Sequence, residues 1–151
     1  MFISNDIETL LSYLNKLEPG TKPKWGTMSA QRMVEHLTDA VRIATGKNPY
    51  EQVVPDEKLP RQHAFIESDM PLPRNYEAVF APADTPLRNE ELELAIDEFI
   101  EEMIWFEELY QQEPDRKEIH PNFGPLNYHQ WTRMSSKHAT HHFIQFGLIE
   151  E

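Results

Sequence analysis

Trp131-Thr132-Arg133-Met134-Ser135-Ser136-Lys137-His138-Ala139-Thr140-His141-His142-Phe143-Ile144-Gln145-Phe146-Gly147 is the stretch on which the reading of this chain turns. At ~100° per residue, an α-helix brings Trp131, Met134, Ser135, His138, His142, Gln145 and Phe146 within about 60° of one line. Trp131, Met134 and Phe146 mark that face as the inward one. His138 and His142 occupy its middle, His141 falls to one side, and His129 points nearly opposite. Asn127 with Gln130 three residues on reads as a capping box, so the helix is expected from Asn127 to Gly147.

Two imidazoles one turn apart on a buried face are costly unless satisfied. The i, i+4 spacing is also the one that lets two rings converge on a metal ion. The pair alone leaves other readings open, either surface residues or core histidines held by hydrogen bonds. A third ligand is wanted, and His36 is the best candidate. It lies near the edge of the apolar arc set by Met33, Ala40 and Ile43 on the second expected helix. Helix bundles build metal centres from inward side chains on facing helices. Three neutral imidazoles leave a coordination position open to water or substrate. The chain contains no cysteine, so Zn(II), Ni(II) or another imidazole-binding divalent ion is expected. His141 is the rival ligand. Trp131 reads as core or pocket wall, and Gln145 as a partner for a site water or as the lining of a polar gap. His120 and His63 read as a loop hydrogen-bonder and a surface residue. Glu35 and Asp39 flank His36, where a carboxylate orients a ring N–H. On the helical wheel both lean away from the apolar face, which predicts exposure.

Three more helices precede this one. Ile7, Leu10, Leu11, Leu14 and Leu17 predict a helix over about Asn5 to Leu17, with Asn5 and Glu8 as a capping box and Pro19-Gly20 as its stop. Met33, Leu37, Ala40, Val41 and Ala44 predict a second over about Ser29 to Thr45, with Ser29 as N-cap, Gly46 beyond its end, and Trp25 packed under its start. Leu92, Ile96, Phe99, Met103, Phe106 and Leu109 predict a third over about Asn89 to Gln111. Its many acidic residues form a solvated face, and Pro114 follows it. Between the second and third helices, residues 47–87 hold Pro49, Pro55, Pro60, Pro71, Pro73, Pro82 and Pro86. Proline breaks helix interiors and central strands, so a long irregular crossover is expected, with a short helix or strand near Tyr76 to Phe80. No segment alternates as a half-buried strand does. The expected fold is therefore all-α, a four-helix bundle whose long connection permits topologies other than simple up-down-up-down.

At 151 residues the chain has room for one core, and a single domain over 1–151 is expected. The absence of cysteine excludes disulfides, thiolate metal sites and a cysteine nucleophile. A net charge of −12, from 14 basic and 26 acidic residues, argues against nucleic acid and anionic membrane as partners. No apolar run approaches the ~20 residues needed to span a bilayer. Met1 to Glu8 carries no basic region before an apolar stretch, so a cytoplasmic location is expected.

The pattern of His36 followed across the chain by His138 and His142 resembles the DinB/YfiT-like superfamily of metal-dependent four-helix-bundle proteins. Lys24-Trp25-Gly26-Thr27-Met28-Ser29, His120-Pro121-Asn122-Phe123-Gly124-Pro125-Leu126 and His141-His142-Phe143-Ile144-Gln145-Phe146-Gly147 look like the motifs of one bacterial subgroup of it. The likeness covers nearly the whole chain. It implies an up-down-down-up bundle, a three-histidine metal centre with water in the remaining positions, and a homodimer. Relatives in that superfamily include thiol S-transferases that use low-molecular-weight thiols and a thiol-dependent isomerase. The function this implies is a metal-dependent enzyme, transferase or hydrolase, that activates a thiol or a water toward a small-molecule substrate. The crossover and the His120 to Leu126 loop would shape its pocket. No general base stands out beyond the metal itself. The alternative is a non-catalytic binding or dimerisation module whose histidine site is structural or vestigial.

Overall fold

The computed structural model describes residues 2–74, 76 and 84–151. Over them the chain is mostly helical. In order come α1 (Ile7–Leu14), α2 (Ala30–Ala44), α3 (Leu59–Glu67) entered through a 3-10 turn at Asp56–Lys58, α4 (Leu92–Gln112), the strands β1 (Glu118–His120) and β2 (Gly124–Leu126), and α5 (Tyr128–Gln145). The expected second and last helices stand within a residue or two of where their caps put them. Ser29 accepts the Arg32 N–H at the start of α2. Asn127 and Gln130 form both halves of the capping box at the start of α5.

Three expectations need correction. The first helix is shorter than its apolar stripe, and its cap is Asp6 rather than Asn5. Asn5 instead donates its side-chain amide to the Thr132 carbonyl on α5, which withdraws it from capping. Ile3 joins the same face of α5, donating to Thr140 and accepting from Ser136.

The crossover is not irregular throughout, because it holds α3. Pro60 is the second residue of that helix, where no intrahelical N–H is called for, so the ring is tolerated. The helix C-terminus is held from α5. Arg133 donates to the carbonyls of Ile66, Glu67 and Ser68, and Lys137 to those of Ser68 and Met70 at 2.7 and 2.6 Å. Cationic donors at a helix C-terminus satisfy the carbonyls left open there and oppose the helix dipole. Residues 77–80 of the short element expected near Tyr76 to Phe80 lie outside the described residues.

The third correction is the hairpin. β1 and β2 pair antiparallel, with His120 opposite Gly124. Three residues per strand are too few for alternation to be legible. Gly124 has φ +71°, and a Cβ there would sit 2.8 Å from Leu59 Cδ2, so the turn requires glycine on both counts. This contact seats the hairpin against the start of α3.

One buried cluster draws on all these helices, with Leu10 and Leu14 from α1, Met33, Val34 and Leu37 from α2, Ile66 from α3, Phe99, Met103 and Phe106 from α4, and Met134 and Phe143 from α5. α2 packs chiefly on α4 and also meets α5. A polar latch fixes the α2–α4 pair. Glu35 accepts the backbone N–H groups of Arg88 and Asn89 at 2.8 and 3.1 Å and the side chains of Gln31 and Asn89. Asp39 receives Arg32 at 2.7 Å and Arg88 at 2.8 Å. The expected exposure of Glu35 and Asp39 is thus overturned. Glu35 is fully buried and Asp39 is half-buried, because the chain entering α4 lies across that side of α2. Asn89, the expected start of the third helix, is occupied by this latch, and α4 begins at Leu92. No helix among the described residues is long and apolar enough to cross a membrane.

Candidate metal centre

α2 and α5 cross so that His36, one turn before Ala40, faces His138 and His142, one turn apart on α5. His36 and His142 are buried and His138 is half-buried. Each offers a ring nitrogen within 4.8 Å of the other two. The ring centroids form a nearly equilateral triangle of 4.8, 4.9 and 4.7 Å, and the rings meet edge to face. The Nε2 atom of His138 lies 2.9 Å from that of His36 and 3.1 Å from that of His142.

The proton positions follow from the neighbours. The Trp25 carbonyl can only accept, and it accepts from Gln145 Nε2 at 3.0 Å. Gln145 therefore turns its oxygen toward His142 and accepts from Nδ1 at 2.6 Å. His142 carries its hydrogen on Nδ1, and its Nε2 lone pair faces His138. For His138 to satisfy that lone pair it must present Nε2–H, and it then has no lone pair for His36. A divalent cation instead receives all three lone pairs at once, and nitrogens bound to one ion at ~2.0–2.1 Å stand roughly 3 Å apart. The donor set fits a metal of the imidazole-binding class.

Burial holds the His138 and His142 rings well below the ordinary histidine pKa, and repulsion from the neighbouring imidazoles adds to it. They stay neutral, which is the ligating form. His120 is pushed down to about 3 by burial alone.

The other expected site residues fall around this triangle. His141 is buried beside His142, but it hydrogen-bonds the Leu72 backbone and packs edge-on against Trp25, so the rival ligand is turned away. Gln145, expected as a partner for a site water or the lining of a polar gap, hydrogen-bonds His142 and the Trp25 carbonyl. The Trp25 ring packs against His141 near the end of α5. Trp131 and His120 are buried with ring centroids 5.5 Å apart. Together with Tyr76 they line a narrow cleft that reaches His138. The expected surface residue His63 is half-buried and donates to the Phe123 carbonyl at 2.8 Å. His129 lies outside the site, exposed and paired with Glu67.

Asn122 escaped the reading of side chains. Its backbone N–H donates to His120 Nδ1 at 3.0 Å, and its side-chain amide donates to the Tyr76 hydroxyl at 2.9 Å. Its place between a histidine–proline step and a glycine was the available signal. Lys137 gave none, since on the wheel it points away from the histidine face.

No family model, no curated protein and no solved structure matches this chain.

Proposed function

We propose that this protein is a metal-dependent enzyme of the DinB/YfiT-like kind. His36, His138 and His142 would hold a divalent ion, Zn(II) or Ni(II), in an up-down-down-up bundle of α1, α2, α4 and α5. The observation that carries the reading is the approach of three imidazoles, with the Nε2 atom of His138 2.9 Å from that of His36 and 3.1 Å from that of His142. The long connection between α2 and α4 supports the topology, since it allows those helices to run parallel.

A divalent ion so held lowers the pKa of a water or thiol at its open position, making a nucleophile available at neutral pH. The residues of the chain have separate tasks in this scheme. Gln145 holds the Nδ1 hydrogen of His142 and keeps Nε2 deprotonated. Leu37, Val41 and Phe99 give the α2–α4 side of His138 a largely apolar lining. The cleft on the Trp131 side admits a small-molecule substrate, with a low-molecular-weight thiol as cosubstrate in the transferase version. A homodimer and a cytoplasmic location belong to the same proposal.

The test is elemental analysis of tag-free protein, with His36→Ala and His138→Ala alongside. About one divalent ion per chain is expected, lost in both variants with a modest change in melting temperature. No metal as purified, and no uptake of added Zn(II) or Ni(II), would overturn the reading. A fold that collapses on chelation would favour the alternative, a non-catalytic module in which the ion is structural.

A further inference from the structure

We infer that the cleft between Trp131, Tyr76 and His138 is a binding site for a small carboxylate, which enters with its oxygens toward the indole N–H and the tyrosine hydroxyl. This rests on the metal-dependent reading above for the charge of the ligand, and on the cleft itself for its hydrogen-bonding character.

The character comes from the donors. Trp131 is 2% exposed, and its Nε1–H has no hydrogen-bond partner. A buried indole N–H is normally partnered, and leaving it unsatisfied is unfavourable. The Tyr76 oxygen already accepts from the Asn122 amide, so its own hydrogen remains to be donated. Ser135 adds a hydroxyl to the same lining. Among the described residues, no Asp, Glu, Lys or Arg lines the cleft. It is therefore a wall of neutral donors, suited to a ligand group that only accepts. Amides bring donors of their own, which find no carboxylate here and meet the N–H and O–H groups unfavourably.

The charge comes from the centre. Three neutral imidazoles leave a divalent ion with its full positive charge, and no carboxylate of the cleft offsets it. Burial strengthens that uncompensated charge. An anionic acceptor satisfies both the donors and the ion, and a carboxylate is the smallest organic group that is both. The narrowness of the space restricts the entering part to such a head group.

The experiment follows the indole Nε1–H signals in ¹H–¹⁵N spectra of ¹⁵N-labelled protein, zinc-loaded and zinc-free, on titration with acetate and with acetamide. Trp131→Phe assigns the signal. Acetate is expected to shift the Trp131 signal saturably, leaving those of Trp25 and Trp105 in place. Acetamide should bind at least about tenfold more weakly, and Tyr76→Phe should weaken acetate binding about tenfold, the loss of a hydrogen bond to a charged group. No acetate-dependent shift in either form of the protein overturns the inference, as does equal binding of acetamide. Zinc content, measured on the same samples, separates the two proposals. Bound zinc with an unresponsive Trp131 sinks the carboxylate site alone. A selective acetate shift in protein that takes up no zinc retains the cleft and sinks the metal centre.

Discussion

Gln145 accepts the Nδ1 hydrogen of His142 at 2.6 Å while donating to the Trp25 carbonyl, and this one amide decides which nitrogen of His142 is free. The backbone N–H of Lys24 also reaches the Gln145 carbonyl, at 2.7 Å. Residues 24 and 25 thus hold the end of α5 from both main chain and side chain. The relation places residues 120 positions apart in one hydrogen-bond chain, and it makes the amide as relevant to the site as the rings.

Removing the amide should therefore loosen the metal without unfolding the chain. Gln145→Leu is expected to weaken divalent-ion affinity by about 10–100-fold, the usual effect of losing a partner that orients a ligating histidine. Competition against a chromophoric chelator checks the affinity. The ¹⁵N shifts of the His142 ring in metal-free protein should show mixed tautomers in the variant and Nδ1–H in the parent. Unchanged affinity would mean that packing alone orients the ring.

The buried histidines make stability depend on pH in a definite direction. His120 takes up its proton near 6.5 in the unfolded chain, but only at about 3 when folded. Below 6.5 the unfolded state thus binds more protons. Stability is fully present above that pH and falls as pH drops from 6.5 toward 3, at up to about 1.4 kcal/mol per pH unit for this ring. His138 and His142, also depressed by burial and mutual repulsion, act in the same direction in metal-free protein. Urea unfolding at pH 7.5, 6 and 5 should give steadily lower stabilities, and His120→Phe a shallower slope. Stability that is level or rising toward pH 5 would contradict the burial of these rings.

Glu35 binds the approach of α4 to α2, and Arg32 beside it is 1% exposed. Burial alone raises the Glu35 carboxyl, but the hydrogen bonds from Arg88, Asn89 and Gln31 outweigh it, so its pKa lies below the usual value. Glu35→Ala leaves those donors without their acceptor, while the buried Arg32 guanidinium keeps Asp39. A loss of about 1–3 kcal/mol is expected, read by chemical denaturation. Glu35→Gln, which keeps an acceptor, should cost less.

Lys137 is buried between the Phe2 and Phe65 rings, its Nζ 4.4 and 4.5 Å from their centroids. Burial lowers its pKa, but two carbonyls take its hydrogens. Lys137→Met keeps the stem, removes the donor to the Met70 carbonyl and leaves the Ser68 carbonyl to Arg133 alone. The expected cost is about 1–3 kcal/mol. Hydrogen exchange should speed up first over α3 rather than over α2 or α4, because the lysine holds only that helix to α5. Uniform acceleration across all helices would count against this local role.

The helices whose signals are local were legible from the residues alone. Ser29 and the Asn127–Gln130 pair name the starts of α2 and α5 because a cap needs only a side chain and an N–H three residues on. The histidine pair was legible for the same reason, since 3.6 residues per turn puts His138 and His142 on one face whatever else the chain does. His36 could be paired with them because it too lies near an apolar arc.

What tertiary structure alone decided concerns groups that meet across long separations. Periodicity says which way Glu35 leans from its own helix, but not that the chain near Arg88 will lie over it. Gln145 and Trp25, Asn122 and Tyr76, and Lys137 and the end of α3 are joined by hydrogen bonds over distances where local pattern carries no information. α3 and the hairpin were hidden differently. Pro60 reads as a breaker until its place in the first turn is known, and a three-residue strand is too short to alternate. The face on which His138 and His142 sit is a property of helix geometry. The approach of His36, the proton on each ring and the donors around the cleft are properties of packing, which only the folded chain specifies.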